Sequence, residues 1–128
     1  MASHTLLDTA GAVEQLRTGH VIAYPTEAVY GLGCDPANES AVRKLLSLKG
    51  RQASAGLVLI ASEYSQLQPW IADIDESLVN KAMQTWPGPV TWLFPRASQR
   101  AGLCGRQTRH NRNSYYRTRA KPGIMCGV

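Results

Sequence analysis

The sequence has few of the features that mark whole classes of protein. No apolar run in its 128 residues approaches the roughly 18 needed to span a bilayer, so no membrane partner is expected. Met1 to Leu7 has no basic stretch leading into an apolar one, so no secretory leader is visible. The cysteines are only three, Cys34, Cys104 and Cys126, odd in number and far apart. That usage suits a reducing cytoplasm better than a disulfide framework. Neither a CxxC pair nor a spaced pair of histidines suggests a metal, and His4, His20 and His110 read as surface or loop residues. No internal repeat occurs, and neither GxGxxG nor GxxxxGK[ST] is present.

What is present is enough for one folded unit. Apolar residues make up 44% of the chain, too many for a disordered segment. The net charge of +5 is unevenly placed. Residues 1–96 hold seven Lys/Arg and all nine acids, a balance of −2, whereas residues 97–128 hold seven Lys/Arg and no acid. The basic character therefore belongs to the last quarter of the chain. Such a tail is often a nucleic-acid arm, but here it reads better as a segment that belongs to no fold.

Over the first 96 residues helical and extended patterns alternate. Leu7, Ala10, Val13 and Leu16 recur at helical spacing, which predicts a helix over Asp8 to Thr18 that stops at Gly19. Val21 to Tyr24 reads as a buried strand closed by Pro25, and Thr26 to Pro36 as a loop. Asn38 is a candidate cap for a second helix carrying Val42, Leu45 and Leu46. Leu57 to Ile60 reads as a strand, and Ser62 or Glu63 starts a short helical segment ending before Pro69. Asp75 to Thr85 reads as a helix with Leu78, Val79, Ala82 and Met83 as its apolar face. Pro87 to Pro89 is a turn into a strand over Val90 to Phe94. The order favours an α/β sheet with crossover helices rather than separate layers. Beyond Pro95 no period of 2.0 or 3.6 survives, and the tail is expected to be irregular.

Three segments could carry chemistry. Pro25-Thr26-Glu27-Ala28-Val29-Tyr30-Gly31-Leu32-Gly33 follows a strand end, where α/β folds place ligands. Thr26 offers a hydroxyl and Tyr30 an aromatic face with a polar tip, though an ordinary turn would look the same. Lys49-Gly50-Arg51 puts two cations at a helix end. They suit nucleotide phosphates, Arg as a fork and Lys as a point charge, but on the residues alone the better reading is a pair of charges complementing the helix C-terminus. Trp86-Pro87-Gly88-Pro89-Val90-Thr91 reads best as a packing corner around a buried Trp.

In this order and spacing the blocks Pro-Thr-Glu-x-x-Tyr-Gly-Leu-Gly, Leu-Lys-Gly-Arg, Gly-Leu-x-Leu-Ile and Trp-Pro-Gly-Pro-x-Thr resemble the YrdC-like domain family of L-threonylcarbamoyladenylate synthases. The resemblance covers Val13 to Pro95. It implies an open, twisted α/β sheet with a basic concave face. It also implies synthesis of threonylcarbamoyl-AMP from L-threonine, bicarbonate and ATP, with release of pyrophosphate, for modification of tRNA. By the same resemblance Thr26 would contact threonine and Tyr30 would line the pocket, while Lys49 and Arg51 would hold ATP phosphates. Magnesium is expected with ATP, and tRNA or double-stranded RNA and the other proteins of the threonylcarbamoylation pathway are the expected partners. No residue is assigned a catalytic or metal-ligating role.

The sequence departs from that family in two places. Gln52 stands where the family usually has Pro after Lys-Gly-Arg. The family also continues with a strand containing an Arg, a helix and a Ser-x-Asn motif, none of which follows here. Back-translated with permitted codons and read one base later, the segment from Arg109 gives Gly-Thr-Ile-Ala-Ile-Arg-Ile-Thr-Glu, much like that missing strand. The expectation is therefore a partial, truncated YrdC-like domain over residues 1–96. Residues 97–128 would be a non-family basic tail read out of frame from about Gln99, and the chain would be weakly stable and weakly active.

Overall fold

The computed structural model describes residues 6–26, 29–52, 57–86, 90–98, 110–115 and 125–127, the last two stretches as backbone. The expected turn at 87–89 and the loop at 53–56 lie outside the described residues, as do Glu27 and Ala28.

Helix boundaries follow capping chemistry. Helix α1, Thr9–Arg17, begins where the Asp8 carboxylate accepts from the Gly11 N–H at 2.8 Å. Helix α2, Glu39–Leu48, begins where Asn38 Oδ1 accepts from the Ala41 N–H at 3.1 Å. Helix α4, Glu76–Thr85, begins where Asp75 accepts from the Ser77 N–H at 2.7 Å. Between α2 and α4 lies α3, Tyr64–Leu67, opened by a Glu63–Gln66 capping box. It runs on as a 3-10 turn over Gln68–Trp70, so Pro69 sits inside helical backbone rather than beyond it. Proline tolerates a first turn because the N–H it lacks would have no partner there.

The strands are β1 (Ile22–Tyr24), β2 (Gly31–Cys34), β3 (Val58–Ala61), β4 (Thr91–Pro95), β5 (His110–Tyr115) and β6 (Met125–Gly127). They form one open sheet in the order β1-β2-β6-β3-β5-β4. Strands β1 and β2 make an antiparallel hairpin, β6 lies antiparallel to both β2 and β3, β5 runs parallel to β3, and β4 runs antiparallel to β5. The sheet is mixed rather than parallel throughout.

Two expectations need correcting. The segment read as loop from Thr26 to Pro36 contains β2. Gly31 and Gly33 have no side chains to show an alternation, so the strand is silent in the sequence. The tail read as irregular supplies β5 and β6 in the interior of the sheet. A ladder is made of backbone N–H and C=O groups, which a polar sequence carries as fully as an apolar one.

The core lies on one face of the sheet. Leu32 and Cys34 of β2, Leu59 and Ala61 of β3, and Trp92 and Phe94 of β4 alternate toward it. Against them pack Ala41, Val42, Leu45 and Leu46 of α2, Leu67 of α3, and Ala82 of α4. Of the apolar face expected on α4, only Ala82 is fully buried, while Leu78 and Met83 stay about two-fifths exposed. Trp86 closes the corner, its ring edge-on to Phe94 and its Nε1–H donating to the Val90 carbonyl at 2.7 Å. That is the packing role its sequence context suggested.

Candidate functional site

The first candidate segment is the six-residue link between β1 and β2, residues 25–30. Its mouth is the last pair of the ladder, Tyr24 opposite Gly31. The Thr26 hydroxyl donates to the Val29 carbonyl and accepts from the Val29 N–H at 3.2 Å. These two bonds tie Thr26 to Val29, while Val29 and Tyr30 are largely exposed at 74% and 77%. A ligand that engages Thr26 therefore meets a hydroxyl already oriented by the backbone of its own loop.

The second segment ends α2. The Gly50 N–H donates to the Ser47 carbonyl at 3.0 Å, and the Arg51 N–H to the Leu46 carbonyl at 2.9 Å. With Gly50 at φ +61, this is a Schellman cap. The glycine between the two cations is thus required by the helix end. The cap also carries the chain sharply off the helix axis, so Lys49 and Arg51 sit on either side of one left-handed residue. Burial pushes the Lys49 ammonium below its ordinary range, and the neighbouring Arg51 guanidinium lowers it further. Two like charges held close repel one another, and an anion between them would relieve both.

Topology brings the two segments to one end of the sheet. Strands β2 and β3 are both antiparallel to β6, hence parallel to each other. Helix α2 joins them as a crossover and packs on β2, so it runs back along the sheet. Its C-terminus, with Lys49 and Arg51, therefore lies where β2 and β3 begin, which is also where the loop of Thr26 and Tyr30 enters β2. Strand β4 is antiparallel to β5 and so ends at the same edge. It delivers Arg96 there, roughly 19 Å from β2 by four strand spacings. Sequence reading passed over Arg96; its only signal is its place one residue after a strand. It also took Tyr24 for a simple strand end, although an aromatic before Pro25 and a glycine at 31 were there to be paired.

The remaining candidates take no part in this edge. Of the third segment, Val90 and Thr91 lie at the opposite end, where β4 starts. His20 shares a 2.9 Å hydrogen bond with the Thr18 hydroxyl, while the side chains of His4 and His110 lie outside the described residues. Among the described residues no three His, Cys, Asp or Glu side chains gather to hold a metal. No helix among them is long and apolar enough to cross a membrane.

Comparison with known proteins shows which family and fold the chain resembles. The sequence profile of the Sua5–YciO–YrdC family, described as "Telomere recombination", matches residues 14–114. A threonylcarbamoyl-AMP synthase of Coxiella burnetii is 53% identical over 88 residues, 69% of this chain and 47% of that protein. The chain thus spans about half the length of the curated relatives it matches. Among solved structures, a doubly substituted P. abyssi Sua5 superposes with a TM-score of 0.83 at 25% identity, over 94% of this chain and 39% of that one. P. abyssi Sua5 complexed with L-threonine superposes with a TM-score of 0.80 at 24% identity, over 94% and 37%.

Proposed function

The chain belongs to the Sua5–YciO–YrdC family, and from that premise we propose that it carries the first half of a threonylcarbamoyl-AMP synthase site. The reaction is the condensation of L-threonine, bicarbonate and ATP to threonylcarbamoyl-AMP with release of pyrophosphate. One observation carries the reading: strand directions put Thr26 and Tyr30 and the Lys49–Arg51 pair, far apart in sequence, at the same end of the sheet. The chemistry suits that edge. The reaction gathers a carboxylate, bicarbonate and a triphosphate, and fixed cations lower the cost of bringing such anions together. Lys49 and Arg51 would hold the phosphates, Arg51 as a fork. Thr26 would meet the threonine, and Tyr30 would line the pocket.

The described residues do not build a resident magnesium site. Magnesium would instead arrive on the ATP phosphates. The rest of the pocket would come from the half of the relatives' length that this chain does not span. A role in tRNA modification, in the cytoplasm and alongside the other proteins of that pathway, follows from the same reading. The test is pyrophosphate release by the full chain with all three substrates, and again with each left out in turn. Release that needs threonine, bicarbonate and ATP together supports the proposal. Full release by both Lys49→Ala and Arg51→Ala would remove the phosphate assignment.

The seven cations and no acids of residues 97–128 favour a second reading, binding of double-stranded RNA or tRNA through phosphates. Changing Arg117, Arg119 and Lys121 together to Gln should then flatten the salt dependence of RNA binding, and an unaltered salt slope would remove the tail from it. An out-of-frame origin of the tail rests on that composition and on the family-like strand that the next reading frame from Arg109 permits. Against it stand the family match reaching residue 114 and the two tail strands inside the sheet. Sequencing the gene across the codons for Arg96 to His110 decides between them. A missing or extra base there confirms the frame change.

A further inference from the structure

The hairpin that presents Thr26 and Tyr30 is built around a contact that neither candidate motif explains. Tyr24 and Gly31 are paired across β1 and β2, so their side-chain positions share one face. Ile22 lies opposite Gly33 on that face, which is the one turned away from α2, α3 and α4. A Cβ placed on Gly31 would stand 2.9 Å from Tyr24 Cζ, 3.0 Å from its hydroxyl oxygen and 3.3 Å from Cε1. The outer half of the phenol ring therefore lies directly on the Gly31 backbone. Gly31 is buried as a result, although no side chain covers it from its own strand.

This contact sits at the hairpin mouth. One residue beyond it on each side begin Pro25, with Thr26 behind it, and Tyr30. The ladder is only three pairs long, and a short hairpin holds its register weakly unless side chains pin it. An aromatic laid over a cross-strand glycine is such a pin. It covers backbone that would otherwise be wet and leaves no room for a side chain at Gly31.

We infer that Tyr24 is a positioning residue for the ligand loop, its ring on Gly31 fixing the hairpin mouth from which Thr26 and Tyr30 are presented. As a role in threonine binding this rests on the function proposed above, but its structural half does not. Removing the ring should free the loop while α2 and the phosphate cations stay as they are. The threonine side of the site would then weaken, and the phosphate side would not.

The test uses the full chain as wild type, Tyr24→Phe, Tyr24→Ala and Gly31→Ala. NMR hydrogen exchange follows the Val29 amide, held by Thr26 Oγ1, and the Val42 and Lys49 amides of α2 as controls. Tyr24→Ala should speed Val29 exchange about tenfold with the α2 amides within about twofold, since local opening reports on its own contacts. Tyr24→Phe, which keeps the ring, should restore the wild-type rate. Gly31→Ala, which pushes the ring aside and keeps the tyrosine, should behave like Tyr24→Ala. Calorimetric titrations with L-threonine and with ATP form the second arm. Tyr24→Ala should weaken threonine about tenfold and ATP by less than about twofold. If Val29 exchange is unchanged in both Tyr24→Ala and Gly31→Ala, or every amide speeds up alike, the inference is overturned. If the wild type binds no threonine, the proposed function falls, and Val29 exchange still decides whether Tyr24 positions the loop.

Discussion

Asn38 reaches from the start of α2 to the end of α1, where its side-chain amide nitrogen stands 2.7 Å from the point a Cβ on Gly19 would occupy. The same side chain accepts from the Ala41 N–H at 3.1 Å, so one residue caps α2 and fills the space beside the α1 terminus. Gly19 is in the left-handed region at φ +83, and the His20 N–H returns to the Gln15 carbonyl at 2.9 Å. The end of α1 and the cap of α2 thus share one close approach.

That contact separates two glycines that look alike. Gly50 is also left-handed, at φ +61, but a Cβ there would meet nothing within 4 Å. Gly50→Ala should therefore cost only the conformational term, about 1–2 kcal/mol. Gly19→Ala adds a collision with Asn38 and disturbs its cap, so it should cost about 2–3 kcal/mol in all. Urea unfolding of both variants measures the difference. Equal costs would mean that the Asn38 amide swings away freely.

Helix starts were the most legible part of the fold. Asn38 was readable as a cap, and Asp8 and Asp75, read as the first helical residues, stand one place earlier as the caps of α1 and α4. The buried strand over Leu57 to Ile60 was legible as well, since it is a short run of bulky apolar residues, two of them β-branched. Strand β2 was not, because a strand of Gly-Leu-Gly-Cys shows no alternation and gains its order from Tyr24 and from its neighbours. Strands β5 and β6 were not either, since nothing in a polar stretch reveals that its backbone completes someone else's ladder. The cations of the site were legible as chemistry. Their meeting with the Thr26 loop was not, because it follows from the direction of β2 and β3 in the sheet.

Asp75 gives an acid-side prediction. Its carboxyl is held below the usual carboxylate range, first by the hydrogen bond with the Ser77 side chain and then by the Ser77 backbone N–H, against a small opposing effect of burial. A depressed folded value means the stabilisation is present at pH above the ordinary carboxylate value. It is lost as the pH falls through the folded value. Asp75→Asn keeps a good cap and abolishes the titration. Its melting temperature should fall less than that of the wild type between neutral pH and the acid range. Parallel falls would show that Asp75 contributes nothing to the acid limb.

Trp92 donates from Nε1 to the Thr85 hydroxyl at 2.8 Å, tying strand β4 to the end of α4. The Thr85 hydroxyl also donates to the Ala82 carbonyl at 2.8 Å, so it is both anchor and acceptor. Thr85→Val keeps the shape and removes both bonds. The loss should be about 1–2 kcal/mol, at the modest end because the site is partly solvated. Trp92→Phe loses only the first bond and should cost less than Thr85→Val. If it costs more, ring packing against Phe94 outweighs the hydrogen bond.

Lys49 and Arg51 give the prediction closest to function. Burial is the larger reason the Lys49 ammonium titrates below its ordinary range, and Arg51 the smaller. A lysine with a depressed folded value destabilises the fold while it is charged, and that cost is relieved as pH rises through the folded value. Arg51→Gln should therefore move the Lys49 titration up, yet leave it short of an ordinary lysine because the burial remains. Pyrophosphate added to the wild type should also move it up, since an anion beside the ammonium favours the charged form. The Lys49 ε-methylene shift, followed by NMR against pH, reads both effects. Added pyrophosphate should raise the melting temperature of the wild type and leave Lys49→Ala and Arg51→Gln nearly unmoved. A wild type whose Lys49 titration ignores pyrophosphate would leave these two cations as the helix-terminal charges that α2 would want on any reading.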